Sequence, residues 1–154
     1  MFLGNSHLQN MVWAGVVTPV NPKDIQPCSI DLHLRLPDNK SEYHNSSEYH
    51  LFPSEFLLVA CEEVFNIPPT LGGLVVGLST VARQGLSVEA AGLVDPGFVG
   101  RVTLELYNMG AETIILQEGC RIAQLMLFEV VGCDKPYTGR YQHDMEATHA
   151  KVQG

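Results

Sequence analysis

Apolar and polar residues alternate strictly along two short segments of this chain. Residues 30–36 read IDLHLRL and residues 102–107 read VTLELY, so that every second position is apolar. A period of two is typical of a β-strand with one buried face. The second segment therefore predicts a strand whose polar face carries three residues: Thr103, Glu105 and Tyr107.

Further apolar runs, bounded by Gly, Pro and polar clusters, predict more strands. They cover residues 56–60, 74–78, 113–116 and 122–131. Residues 65–69 end in two prolines and predict a turn instead. Many short strands at close spacing indicate a mostly β domain built as a sandwich, barrel or jelly roll.

The two ends of the chain differ from this β pattern. Residues 7–13 have mixed apolar spacing and predict a short helix that ends near Gly15. Residues 41–50 are polar and predict a loop or an edge hairpin. Beyond Gly132 the chain is polar with few aliphatic residues. We therefore expect one domain over residues 1–154, with an N-terminal segment at 1–20 and a C-terminal arm at 133–154.

Composition narrows the range of partners. The 154 residues are 45% hydrophobic and 17% charged, which fits one globular domain. A net charge of −8 argues against nucleic acid and anionic membranes as partners, because it provides no basic field. No apolar run approaches the roughly 20 residues of a membrane helix, and no secretory signal opens the chain. We expect a cytoplasmic protein.

Cysteines and histidines do not have the spacing of a metal site. The four cysteines are far apart and form no CxxC pair, so we expect reduced structural thiols. The histidines form no HxxxH pair, and we expect their side chains to be solvated. The sequence thus predicts no bound metal.

Polar clusters interrupt the apolar runs at three places, and burying polar groups is costly unless they are paired. Residues 79–85 (STVARQG) suit an oxyanion, with Arg83 four residues after Ser79; an N-cap with an exposed arginine is the alternative. Residues 95–100 (DPGFVG) predict a tight hairpin that presents Asp95. Residues 119–125 (GCRIAQL) place a glutamine inside an apolar strand, where it needs a partner.

Taken in order, these segments resemble the dUTPase and dCTP deaminase superfamily. Five separated stretches match its motifs collinearly: residues 25–32, 52–58, 79–85, 91–100 and 119–125. The resemblance implies a dUTPase-like distorted β-barrel, similar to a jelly roll, with a short N-terminal helix and a C-terminal arm. It also implies a homotrimer with its sites at the subunit interfaces.

The chain is more similar to the dCTP deaminase branch. That branch has a glutamate ten residues beyond the hairpin aspartate in a T/V-L-E context, matched here by Asp95 and Glu105. It also has a Ser-[Ser/Thr]-x-x-Arg element, matched by Ser79, Thr80 and Arg83. The hairpin alanine is matched by Ala91.

The resemblance implies hydrolytic deamination of dCTP to dUTP and ammonia. Zinc cytosine deaminases have an HxE and PCxxC signature, which this chain lacks, so we expect Glu105 to act as the general base without zinc. Ser79, Arg83 and the Ala91 backbone are implied to surround the reacting water. The resemblance also allows a second activity, cleavage of dUTP to dUMP.

The remaining implied contacts are to the deoxycytidine or deoxyuridine nucleotide, whose triphosphate would carry Mg²⁺. Phe98 is implied to pack beneath the deoxyribose, and Gln124 to contact phosphate or brace the site. Substrate binding is also assigned to Thr80, Asp95, Tyr137 and Arg140, the last two from an arm that closes over the phosphates.

Two other functions are consistent with the sequence. One is a dUTPase, in which Asp95 positions the water that attacks the α-phosphate and Glu105 is incidental. The other is a member of the same fold that binds nucleotides without turnover.

Overall fold

Short antiparallel strands account for most of the regular structure in a computed structural model, which describes residues 1–38, 47–89 and 91–152. Helix α1 is Asn5–Trp13 and helix α2 is Ser79–Ala82, and a 3₁₀ turn covers Pro22–Asp24. The strands are β1 Val17–Thr18, β2 Ile30–Arg35, β3 Glu48–Leu51, β4 Phe56–Cys61, β5 Val64–Asn66, β6 Leu71–Gly77, β7 Leu86–Glu89, β8 Leu93–Val94, β9 Val99–Gly100, β10 Thr103–Asn108, β11 Ile114–Gln117 and β12 Arg121–Glu129.

Seven of these strands form one sheet in the order β7-β10-β4-β2-β12-β6-β8, and the sheet curls into half a barrel. Strands β1, β5 and β9 form a second sheet, and β11 pairs with β3 in a third. Every neighbouring pair in these sheets is antiparallel. The predicted mostly β barrel-like fold, with its short N-terminal helix, is confirmed.

Residues that alternate between apolar and polar along a strand also alternate between buried and more exposed. In β10 the side chains of Leu104 and Leu106 are fully buried, while Thr103 and Glu105 are half-buried on the opposite face. Strand β2 departs from the pattern at Asp31, which is only 4% exposed. Its carboxylate oxygen accepts hydrogen bonds from Gln26 Nε2 at 3.1 Å and Arg121 at 3.0 Å, so the burial is compensated.

Two sequence predictions change at this level. The predicted turn at residues 65–69 is wrong, because Val64–Asn66 is strand β5, which pairs with both β1 and β9. The turn begins only after Ile67, where the two prolines stand. Of the predicted loop or hairpin at 41–50, residues 48–50 belong to strand β3, and residues 41–46 lie outside the described residues.

Past β12, the described residues up to 152 contain no further helix or strand, as expected for an arm. The arm is nevertheless firmly packed, because Tyr137 contacts the hydrophobic core. Among the described residues no helix has the length and apolarity that crossing a membrane requires.

Candidate active site

A pocket of about 820 Å³ opens beside β10. One wall comes from β4 and β10, a second from the hairpin that follows β7, and a third from the C-terminal arm. Five residues predicted for the site line it: Ala91, Asp95, Phe98, Glu105 and Tyr137. The pocket therefore joins predicted residues that are up to 46 positions apart in the chain.

Glu105 projects from the middle of β10 into this pocket. It faces away from the core because its neighbours Leu104 and Leu106 occupy the buried face. Its cross-strand partner on β4 is Leu58, an apolar residue that also lines the pocket. One carboxylate oxygen, Oε2, is buried. A partly desolvated carboxylate of this kind can accept a proton and return it.

The hairpin that carries Asp95 and Phe98 is a tight turn. The Phe98 backbone N–H donates to the Asp95 carbonyl at 3.1 Å, and Gly97 has φ of +89°, which favours glycine. Phe98 is 8% exposed and belongs to the core cluster, so the ring is fixed. Asp95 stays half-buried at the pocket wall.

The arm docks along this hairpin through its backbone and one amide side chain. Tyr137 N donates to the Pro96 carbonyl at 2.7 Å, and His143 N donates to the Val99 carbonyl at 2.7 Å. Gln142 spans the same edge, since its Nε2 donates to the Gly97 carbonyl at 2.8 Å and its Oε1 accepts from Val99 N at 3.0 Å. These contacts make the arm the third wall of the pocket.

Helix α2 holds the predicted polar cluster at residues 79–85 away from the pocket lining. Ser79 and Thr80 begin the helix, and Arg83 follows its last residue; all three side chains are exposed. The helix has no side-chain N-cap, so the alternative reading of Ser79 as a cap is wrong. Within this chain these polar groups do not meet Glu105 across the pocket.

Gln124 and Arg140 also lie outside the lining. Gln124 is half-buried on β12, and its Oε1 accepts a hydrogen bond from Ser29 Oγ at 3.2 Å. That bond is the partner that a glutamine in an apolar strand requires. Arg140 is exposed on the arm and donates to the Lys151 carbonyl.

Several polar lining residues were not predicted from the sequence, among them Arg101, Thr103, Tyr141, Asp144, Thr148 and His149. Arg101 stands directly after the hairpin glycine, so its proximity to the hairpin was a usable signal. Thr103 shares the polar face of the predicted strand with Glu105, which was a second signal. The arm residues have no comparable signal, because their place depends on the arm folding back onto the barrel.

His33 corrects the prediction that the histidines are solvated. Its ring Nδ1 lies 2.7 Å from Glu63 Oε1, and its backbone N–H donates to the same carboxylate. The ring Nε2 lies 3.9 Å from Asp24. Burial raises the pKa of Glu63, and its hydrogen bonds with His33 oppose that shift. Among residues 1–38, 47–89 and 91–152, no group of three or more His, Cys, Asp or Glu side chains is arranged to hold a metal ion.

The sequence is similar to a known protein family and to several of its members. The model of the dCTP deaminase-like family matches residues 37–130. The "dCTP deaminase, dUMP-forming" of Sulfurihydrogenibium sp. is 29% identical, covering 99% of this chain and 97% of its own. That of Aquifex aeolicus is 32% identical, covering 92% and 90%. The dCTP deaminase of Haloarcula marismortui is 34% identical, covering 90% and 87%.

Solved structures share the fold. The 2′-deoxycytidine 5′-triphosphate deaminase from Agrobacterium tumefaciens superposes with a TM-score of 0.66 at 13% identity. The match covers 82% of this chain and 47% of that one, so this chain spans about half of that protein's length. The EIAV dUTPase superposes with a TM-score of 0.50 at 20% identity, covering 75% and 98%. At these identities the similarity establishes the dUTPase-like fold alone.

Proposed function

The chain belongs to the dCTP deaminase-like family, and we propose that it is an enzyme that hydrolytically deaminates dCTP. Relatives of about 30% identity over almost the whole chain are named dCTP deaminase, which supports a deoxypyrimidine nucleotide as substrate. The observation that carries the proposal is the half-buried carboxylate of Glu105 on the wall of a nucleotide-sized pocket.

In the proposed reaction Glu105 takes a proton from water as the water oxygen bonds to C4 of cytosine. Glu105 passes this proton to N3, then takes the proton of the new C4 hydroxyl and delivers it to the amino group; the C4–N bond breaks as the C4 carbonyl forms, and ammonia leaves. The balance is dCTP plus water to dUTP plus ammonia. A carboxylate with a buried oxygen suits both steps, because partial desolvation favours proton acceptance and the same group returns the proton.

We propose that the protein forms a homotrimer, in which a neighbouring subunit contributes Ser79 and Arg83 to each site. Both are exposed on their own chain and outside its pocket lining, as groups that act on a neighbour would be. Apolar side chains at the pocket rim support an interface there, since Phe56 is 57% exposed and Leu93 is 59% exposed. In the assembled site Ser79 and Arg83 would orient the water and Glu105.

The residues of the pocket walls would make the other contacts to the nucleotide. Phe98 would pack beneath the deoxyribose, and the Ala91 backbone would hold the ring and the water. Asp95 and Tyr137 would bind from the hairpin and the arm. Three residues lie outside the lining and are also assigned to substrate binding, namely Thr80, Gln124 and Arg140. Of these, Arg140 would act at the phosphates, and Gln124 would contact phosphate or brace the site. Mg²⁺ belongs to the substrate in this proposal, as the counterion of its triphosphate.

A second step to dUMP is proposed on the same site. Several relatives are named dUMP-forming, which favours dUMP as the final product. Water would attack the α-phosphate of dUTP, the bond to the β-phosphate would break, and diphosphate would leave. Asp95 would position that water, since its half-buried carboxylate lines the pocket next to the hairpin turn.

Product analysis tests the proposal. The protein is incubated with dCTP and Mg²⁺, and separately with dUTP and Mg²⁺, and the nucleotides are resolved by chromatography. Formation of dUTP or dUMP from dCTP is the expected result. Cleavage of dUTP with dCTP left intact would instead identify a dUTPase, and saturable binding without turnover would identify a non-catalytic member of the fold.

A further inference from the structure

Two arginines of the barrel hold one segment of the C-terminal arm, residues 144–146. Arg35 is the last residue of β2, and Arg101 follows β9; both reach the arm beyond the stretch 137–142 that carries its predicted binding residues. We propose that Arg35 and Arg101 are positioning residues, which set the arm over the pocket before any substrate binds.

Arg35 forms a bidentate ion pair with Glu146 of the arm. The Arg35 Nε donates to Glu146 Oε2 at 3.1 Å, and the Arg35 Nη2 donates to Glu146 Oε1 at 2.8 Å. The two residues are 111 positions apart in the sequence. The pairing raises the pKa of Arg35 and lowers that of Glu146, in each case mainly through this hydrogen bonding. A guanidinium matches a carboxylate in this paired geometry, so the contact fixes orientation as well as distance.

Arg101 holds the arm through its backbone. Its Nε donates to the Glu62 carbonyl at 3.0 Å, and its Nη1 donates to the Met145 carbonyl at 3.0 Å. The guanidinium thus bridges the turn between β4 and β5 to the arm. Arg101 N also donates to the Asp144 carbonyl at 2.7 Å, so one residue holds two consecutive arm positions.

The arm lies so close to the backbone at position 100 that this position requires glycine. Gly100 has φ of +140°, and a Cβ added there would lie 2.6 Å from the Asp144 carbonyl oxygen. The arm then returns to β10, where Thr148 N donates to Thr103 Oγ1 at 3.2 Å. Lys151 closes the end of the arm, because its Nζ lies 2.8 and 2.7 Å from the two oxygens of Asp144.

The position of this segment shapes the pocket. Asp144, Thr148 and His149 line it, and all three lie within or just beyond the segment that the arginines hold. Because the contacts are made by the chain itself, the arm would be set without the entropy cost of ordering it at each binding event. The kinetic part of this inference rests on the proposed function, whereas the arm's position does not.

Hydrogen exchange of the unliganded protein tests the arm's position directly. The readout is exchange at the amides of His143 and Thr148, both of which donate to the barrel. Arg35→Met and Glu146→Gln should each speed exchange by about three- to fivefold, the upper part of the range for an exposed ion pair, because this pair is bidentate. The double variant should exchange no faster than either single variant, because both changes break one contact. Unchanged exchange in the single variants, or additive effects in the double, would overturn the inference.

Two substitutions of Arg101, which remove different amounts of its hydrogen bonding, and one control variant test its role. Arg101→Met loses both carbonyl contacts and should speed exchange at His143 most, while Arg101→Lys keeps the charge and should fall between it and the wild type. Lys23→Glu, an exposed charge reversal outside the arm, should match the wild type. Met and Lys variants that behave alike, or like the wild type, would contradict a bridging role. A cooperative unfolding transition in each variant excludes global loss of structure.

Kinetics distinguish positioning from a merely structural role. In Arg35→Met the KM for dCTP should rise by about three- to tenfold while kcat stays within about twofold, because the arm contributes to binding. Added salt should raise KM more in the wild type than in this variant, since only the wild type has the partly exposed Arg35–Glu146 ion pair to screen. A fall in kcat at constant KM would contradict the role. If dCTP is not turned over at all, the proposed function fails, and the exchange result still decides the arm's position.

Discussion

The ring of Phe98 meets the ring of Tyr137 edge-on, with centroids 5.8 Å apart and planes at 63°. Phe98 belongs to the hairpin and Tyr137 to the arm, so this contact joins two walls of the pocket. The two backbones also approach each other closely, because a Cβ on Gly97 would lie 3.0 Å from the backbone nitrogen of Tyr137. The hairpin and the start of the arm therefore form one packing unit.

Phe98→Ala should destabilise the protein by about 3 kcal/mol, the usual cost of removing a buried aromatic ring. Urea denaturation of the variant and the wild type measures this loss. Tyr137→Phe serves as the control, because it keeps the ring and removes only a hydroxyl that accepts from Tyr141 N at 3.2 Å. That change should cost about 1 kcal/mol or less. Equal losses in the two variants would contradict the importance of the ring contact.

Mixed trimers should recover activity if Glu105 and Arg83 act across a subunit boundary. Glu105→Gln and Arg83→Ala should each be inactive as pure trimers. After the two variants are co-refolded in equal amounts, about a quarter of the wild-type activity should return, because a random ring pairs both intact residues at that fraction of interfaces.

The matched control combines Glu105→Gln with a double variant that carries both changes. No interface in that mixture contains two intact residues, so no activity should appear. Absence of recovery in the first mixture, despite confirmed subunit exchange, would place Arg83 outside a shared site.

Glu63 should make stability depend on pH. Its folded-state pKa is raised above 4.5 by burial, so the native state keeps a proton that the unfolded chain has already released. The free energy of unfolding must then fall as pH rises from about 4.5 through the raised pKa. Glu63→Gln cannot titrate, and the stability of the wild type relative to this variant should decline across that window.

Denaturant titrations at several pH values between about 4 and 7 measure this difference. Glu62→Gln removes an exposed carboxylate at the adjacent position and is the matched control. A wild-type advantage over Glu63→Gln that stays constant or grows with pH would show that burial does not hold the proton on Glu63.

The fold was predictable wherever one face of a strand is buried. Strands β2 and β10 follow directly from alternation, because one face meets the core. Strand β5 was missed because it has only three residues and two prolines follow shortly after it. Its pairing with β1 and β9 is a tertiary feature that no local pattern contains.

The site was predictable only in its local parts. Asp95, Phe98 and Glu105 belong to one hairpin and the next strand, so their spacing already placed them together. Asp144 reaches the pocket only because the arm folds back across the barrel, which residue spacing does not encode. His33 likewise depends on a partner 30 positions away, which strand pairing brings to it.

Glu105 is, in our proposal, the general base of dCTP deamination. The most direct measurement is the rate of ammonia release from dCTP with Mg²⁺, for the wild type, Glu105→Gln and Glu112→Gln. Glu112 is an exposed carboxylate just beyond the same strand, so its substitution should leave the rate unchanged. Glu105→Gln should lower the rate by at least about 100-fold while dCTP still binds. Ammonia release by Glu105→Gln at the wild-type rate, or none by the wild type, would contradict the account.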